Sequence, residues 1–227
     1  MGHRFRVGAI GELRLKIDFV SDVACPWCAV GLYALEEALR RVGPQLAVEL
    51  HFQPFELNPQ MPAEGEDAAE HLARKYGASP QQLAATRATL RQRGAEVGFT
   101  FGERPRVWNT FDAHRLLHWA DSQGRQRELK HALLAAYHTH AQNPGSHEVL
   151  LRLCEEVGLD LQRARAILDS DEYADEVRER ERFYQQQGIN AVPSVIINDR
   201  HLIQGGQPPE AFERALRELA AEVDGGG

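Results

Sequence analysis

The chain has 227 residues, of which 43% are hydrophobic and 26% charged, and its formal net charge is −7. This is the composition of an ordinary globular protein, long enough for one domain with a large insertion. Its basic residues are mixed with Asp and Glu, as in Glu176 to Arg182. That excludes the dense cationic surface expected for nucleic acid or an anionic membrane.

Three cysteines do not make a disulfide scaffold, and a close pair with a distant third suits an intracellular redox site better. Met1 to Lys16 carries Arg4, Arg6, Glu12 and Arg14, with no apolar core for a signal peptide and no small-residue cleavage site. No apolar stretch approaches transmembrane length. A cytoplasmic protein is predicted, with flexible tails at 1–12 and 223–227.

Leu13, Leu15, Ile17 and Phe19 alternate with Arg14, Lys16 and Asp18, the period of a strand with one buried face. Pro26 suits the first turn of a helix, which continues through Val30, Leu32, Leu35 and Leu39 to Gly43-Pro44. Val48, Leu50 and Phe52 alternate again. Together these make a βαβ unit with a parallel pair. From about Asp67 to Gln187 the chain reads as successive helices. Ser79-Pro80 opens one, Asn109 or Thr110 caps another, and a further helix runs to about Ala141. Ser146 caps the next, and Asp171 to Gln187 forms a charged helix. Phe99 to Trp108 reads as irregular. Ser194 to Ile197 and His201 to Gln204 form a hairpin around Asn198-Asp199, and Pro208-Pro209 starts a last helix.

The two β parts are too small to stand alone. An α/β fold is therefore predicted, with a four-stranded mixed sheet (βαβ…ββα) interrupted by a large all-helical insertion. The boundaries are 13–60 plus 188–222 for the sheet domain and 61–187 for the insertion.

Cys25-Pro26-Trp27-Cys28 allows three readings: a zinc site, a redox site or an accident. A structural zinc site needs four ligands, and Cys154 sits alone. The pair follows a strand and opens a helix, which favours redox chemistry. A thiolate at a helix N-terminus meets unpaired N–H groups and the positive end of the dipole. Cys25 receives that stabilisation and is the candidate nucleophile. Cys28, one turn in, is the candidate resolving thiol. Pro26 and Trp27 support the motif, and Trp27 shapes an apolar rim. Val192-Pro193 stands directly before a strand, where proline is tolerated. Beside the cysteine pair it suggests a cis proline loop.

Ile17 to Gly31, with Ser21-Asp22-Val23-Ala24 before the motif, resembles the DsbA-like thioredoxin-fold oxidoreductases, specifically the FrnE-like branch. Asn109-Thr110-Phe111-Asp112-Ala113-His114-Arg115-Leu116 and Gly188 to Ser194, with Gly205-Gly206-Gln207-Pro208, extend the resemblance from Leu13 to Leu219. The resemblance implies a cis Pro193 opposite Cys25 and Cys28, and a Val192 backbone that holds a bound peptide or thiol. Some longer relatives carry an extra cysteine pair after the fold, which this chain lacks.

Asp22 is a candidate proton relay to Cys28, and a turn-making loop aspartate is the simpler reading. Asp18 could act so only if strand one turned it inward, against the alternation. Trp108, Phe111 and His114 are candidate substrate contacts, with core packing as the competing reading. His114 and His118 lack further ligands, and no metal site is expected. Cys154 lies among apolar residues and reads as a buried thiol.

The expected function is dithiol–disulfide exchange or disulfide isomerisation, with no bound cofactor beyond a redox-active Cys25–Cys28 disulfide. Glutathione or another low-molecular-weight thiol is a possible co-substrate. The expected partners are protein or small-molecule thiols and disulfides, with no nucleic acid and no membrane, and the chain is a monomer or homodimer. The alternatives are a glutathione-dependent isomerase or kappa-class-like transferase on the same fold, and a binding module with a vestigial motif.

Overall fold

The computed structural model describes residues 13–44 and 46–225. Strand β1 (Leu13–Ser21) runs into helix α1 (Pro26–Val42), and β2 (Leu46–Pro54) returns parallel to β1. At the other end of the chain β5 (Ser194–Ile197) and β6 (His201–Gln204) form a hairpin, followed by α9 (Pro209–Gly225). β5 pairs antiparallel with β1. The result is one four-stranded mixed sheet in the order β2-β1-β5-β6. Asn198 and Asp199 both take positive φ in the hairpin turn, a conformation these two residue types tolerate.

Leu15, Ile17 and Phe19 are fully buried and pack with Leu32 and Leu35 of α1 and Phe212 and Leu216 of α9. This is the face that the alternation identifies. The opposite face is also covered. Helix α8 (Ala174–Gln186) lays Tyr184 there, in a cluster with Val20, Phe55 and Ile189. Asp18 therefore faces away from α1 yet is buried, held by the Gln53 amide at 2.6 Å and the Lys16 ammonium at 2.9 Å.

Between β2 and β5 lie a two-residue ribbon and six further helices, among the described residues. The ribbon pairs β3 (Glu66–Asp67) with β4 (Arg106–Val107), inside the stretch expected to be irregular. The helices are α2 (Ala68–Tyr76), α3 (Pro80–Glu96), α4 (Phe111–Ser122), α5 (Gln126–Leu134), α6 (His147–Glu156) and α7 (Leu161–Leu168). Their N-termini follow side-chain chemistry. Ser79 and Gln82 form a reciprocal capping box at α3, and Ser146 and Asp160 cap α6 and α7. Two boundaries differ from expectation. Helix α5 ends at Leu134 in a π-helical turn, Ala135–Thr139. Helix α8 starts only at Ala174, because Tyr173 before it adopts φ 63°. The helical block has its own core around Leu116, Trp119, Leu133, Tyr137, Leu150 and Ile167, and Cys154 is buried in it.

The predicted N-terminal tail lies outside the described residues. The C-terminal tail expected from 223 begins instead as the end of α9, which runs to Gly225.

The insertion also closes the sheet edge. Edge strand β2 leaves backbone groups unpaired, and the buried Gln126 amide takes both groups of Phe52: it accepts from the N–H at 2.8 Å and donates to the carbonyl at 3.0 Å. Gln126→Ala should strand those groups and destabilise the protein by about 2 kcal/mol. A urea unfolding curve is the measurement.

Candidate active site

Cys25 is the N-cap of α1, in extended conformation, with Pro26 at the first helical position. No acidic residue occupies the first turn of that helix. Its positive end therefore faces the thiol undiminished. Cys25 is 4% exposed and Cys28 is fully buried; both are free thiols. The Cys25 thiol donates to the Val192 carbonyl at 3.6 Å. The Val192–Pro193 peptide is cis. Glycines make this approach possible. A Cβ on Gly31 would sit 2.9 Å from Pro193 Cγ, and one on Gly206 would sit 3.2 Å from the Trp27 carbonyl. The Gly205 N–H donates to the Pro193 carbonyl at 2.8 Å, and Arg93 from α3 donates to the Gly206 carbonyl at 3.0 Å. The four residues of the motif, Val192 and Pro193 thus meet at one end of the sheet.

The two thiols differ electrostatically. The Cys28 S–H bond, with the backbone N–H groups of Cys28 and Trp27, holds the Cys25 thiol below its usual pKa, against burial and the charge of Asp22. Burial and the neighbouring Cys25 push the Cys28 thiol well up, offset in part by Lys130. The outer sulfur is therefore the more readily ionised of the pair, and the inner one holds its proton more tightly.

Asp22 is buried beneath the motif. Its Oδ1 accepts from the Ala24 N–H at 3.0 Å, the Thr110 hydroxyl at 2.8 Å and His114 Nε2 at 3.4 Å; Oδ2 accepts from the Leu57 N–H at 2.7 Å. Burial raises its pKa, but His114 and the two backbone N–H groups outweigh that and hold the carboxyl below its usual value. An ionised carboxylate with four donors is an anchor and a poor proton acceptor. Thr110 explains its own position: it is the N-cap of α4 but gives its hydroxyl to Asp22, while Asn109 Oδ1 accepts from the Phe111 N–H.

His114 thus stands beside the motif loop. Trp108 packs edge-on against Tyr137, ring centroids 5.8 Å apart, and the Arg178 guanidinium lies 3.8 Å from the centroid of Phe111. Arg178 also bridges Glu56 and Glu181, whose carboxyls burial pushes up. Among the described residues no group of three or more His, Cys, Asp or Glu is placed to hold a metal. No described helix is long and apolar enough to cross a membrane.

Several neighbours of the motif escape a sequence reading. Arg104 donates to the Ala24 carbonyl at 2.8 Å. His138 donates to the Val23 carbonyl at 2.8 Å, and burial with the Arg104 charge pushes its pKa down to about 3, so it is neutral. Lys130 of α5 is buried and faces both thiols and Asp22. Tyr76, at the end of α2, is 60% exposed on the Cys25 side of the molecule. The one available signal was Lys130, a charge on the otherwise uncharged buried stripe of Gln126, Leu129, Leu133 and Leu134.

A βαβ…ββα sheet with a cysteine pair at the first helix N-terminus and a proline loop across from it defines the thioredoxin-fold class. The chain belongs to the DSBA-like thioredoxin domain family, whose model matches residues 16–217. It is similar to the Bacillus subtilis protein YwbO, 30% identical over 208 residues, or 90% of this chain and 96% of that one. The structure of a probable DsbA oxidoreductase from Streptomyces coelicolor superposes with a TM-score of 0.86 at 34% identity, covering 92% of this chain and 91% of that one. A cytosolic disulfide reductase, DsbM, from Pseudomonas aeruginosa, solved with GSH, shares the fold at a TM-score of 0.61 and 18% identity, covering 90% and 98%.

Two outcomes are expected. Cys28→Ala removes the largest stabilisation of the Cys25 thiolate, so the midpoint of Cys25 alkylation by iodoacetamide should move to higher pH. Asp22→Asn should lower stability at pH 7 by about 2–4 kcal/mol. Because the folded pKa of Asp22 lies below the ordinary aspartate value of 3.8, its contribution is present above that value and lost as pH falls through the folded pKa. The gap between variant and wild type in urea unfolding should therefore narrow below about pH 4.

Proposed function

We propose that this protein catalyses dithiol–disulfide exchange, with Cys25 attacking and Cys28 resolving. The observation that carries the reading is the asymmetry of the pair: Cys25 caps α1 with a lowered pKa, and Cys28 is fully buried with a raised one. The Cys25 thiolate attacks one sulfur of a substrate disulfide, forming a mixed disulfide and releasing the other sulfur as thiolate. Cys28 then loses its proton and attacks Cys25. The Cys25–substrate bond breaks, the substrate leaves as a second thiolate, and the enzyme is left as the Cys25–Cys28 disulfide. The reverse sequence donates a disulfide. The Val192 carbonyl, 3.6 Å from Cys25 Sγ, is the backbone group beside which a substrate chain would lie, and Trp27 supplies an apolar rim.

The motifs support placement in the FrnE-like branch, and a close cysteine pair with only one distant thiol besides supports a cytoplasmic location. Protein or low-molecular-weight thiols and disulfides are the proposed partners, with glutathione as a co-substrate consistent with its presence in DsbM. The near-closure of Cys25 favours a second reading, glutathione-dependent isomerase or transferase chemistry on a small substrate.

Cys25→Ser should abolish insulin reduction and the refolding of scrambled ribonuclease, while Cys28→Ser should accumulate a mixed disulfide on Cys25. Full activity in Cys25→Ser would refute the mechanism. Glutathione-dependent turnover untouched by Cys28→Ser would favour the second reading.

A further inference from the structure

The resolving step leaves a problem that the thiols do not solve themselves. Cys28 must lose a proton to attack and regain it on reduction, and it is sealed from water. Asp22, the buried carboxyl of the motif segment, already accepts four hydrogen bonds. His138 has committed its Nε2–H to Val23 and is neutral.

One titratable group nearby is uncommitted. Lys130 is 1% exposed and makes no hydrogen bond or ion pair with any described residue. Its position follows from α5. Leu134, one turn further on, packs in the same cluster as Cys25 and Cys28, and His138, another turn on, reaches Val23. Lys130, Leu134 and His138 thus form one stripe laid along the motif. The charged and titratable groups facing Lys130 are Cys28, Asp22 and Cys25 from the motif segment and His138 from its own continuation.

The residue type is also telling. The chain holds 23 arginines and only three lysines, Lys16, Lys75 and Lys130. Lys16 pairs with Asp18 and Asp199, and Lys75 donates to Leu57 and Asn58. The buried cationic position next to the thiols is the one where an arginine could not give up a proton and a lysine can.

We propose that Lys130 is the proton partner of Cys28, taking up its proton when Cys28 attacks the mixed disulfide and returning it when the pair is reduced. The inference rests on the exchange chemistry proposed above. In the mixed disulfide the neutral amine of Lys130 accepts the proton of Cys28–SH. The resulting thiolate forms the Cys28–Cys25 bond, the Cys25–substrate bond breaks, and its electron pair departs on the substrate thiolate. Cys28 is thereby oxidised and the substrate sulfur reduced, Cys25 passes from the mixed disulfide to the internal one, and the proton stays on Lys130 facing the Asp22 carboxylate. Burial favours the neutral amine and outweighs the nearby anions of Cys28, Asp22 and Cys25, so the Lys130 pKa lies below the usual lysine value.

The test uses the full chain and Ellman's reagent. Reaction of Cys25 releases one equivalent of thionitrobenzoate, and resolution by Cys28 releases the second. Lys130→Met should form the mixed disulfide within about twofold of the wild-type rate but release the second equivalent about tenfold more slowly at pH 7, the gap closing as hydroxide takes over the deprotonation at higher pH. Unchanged second release, with an unchanged pH profile, overturns the inference alone. A wild-type protein that reacts at Cys25 but never releases the second equivalent overturns the exchange mechanism itself. If Lys130→Met does not fold, the wild-type protein labelled with 13C-lysine shows three side-chain signals. One should titrate below the ordinary lysine range, with a midpoint that moves between the reduced and oxidised protein. A midpoint indifferent to redox state overturns the inference.

Discussion

Asp22 is buried and ionised, and a buried carboxylate persists only when its lone pairs are met. Its four donors come from three separate parts of the chain. Ala24 belongs to the motif loop, Leu57 to the segment after β2, and Thr110 and His114 to the start of α4. One side chain therefore sets the loop ahead of Cys25, the exit from the sheet and the approach of the helical block. The motif is positioned by that junction as much as by the sheet beneath it. The pairing is mutual, since Thr110 gives up its ordinary capping bond to serve Asp22, and Asn109 takes over part of the cap.

The same anion imposes an electrostatic cost on the thiols, because it disfavours the Cys25 thiolate. The structure answers with donors and one cation. The start of α1 offers N–H groups to Cys25, Cys28 offers its S–H, and Lys130 faces the whole group from α5. The helical insertion is thus part of the candidate site. It supplies His114, Lys130, Arg104 and His138, and it shields the thiols from water, where their charges would be screened.

Much of the fold was legible because it is written locally. The alternation through Ile17 and Phe19, Pro26 at a helix start, the Asn198-Asp199 turn and the Ser79 and Ser146 caps act over a few residues. Elements that depend on distant packing were not legible. Arg106 and Val107 become a strand only because Glu66 and Asp67 lie alongside. The Asp18 side chain points away from α1 as its strand period requires, but whether that face meets water depends on α8, more than 150 residues later in the chain.

The cysteine pair, its helix and the proline loop were readable from the chain itself, since a thiol at a helix N-terminus and a proline before a strand have meanings set by nearest neighbours. Those residues also sufficed to order the thiols, Cys25 outside and Cys28 within. The tertiary structure decided what surrounds them. It turned Asp22 into a saturated anchor, drew His114 from a helix 92 residues away onto that carboxylate, and buried Lys130 of α5 where its charge faces the thiols. Hydrogen bonds and buried charges between segments so far apart follow from which helix faces pack together, and that is a property of the assembled core.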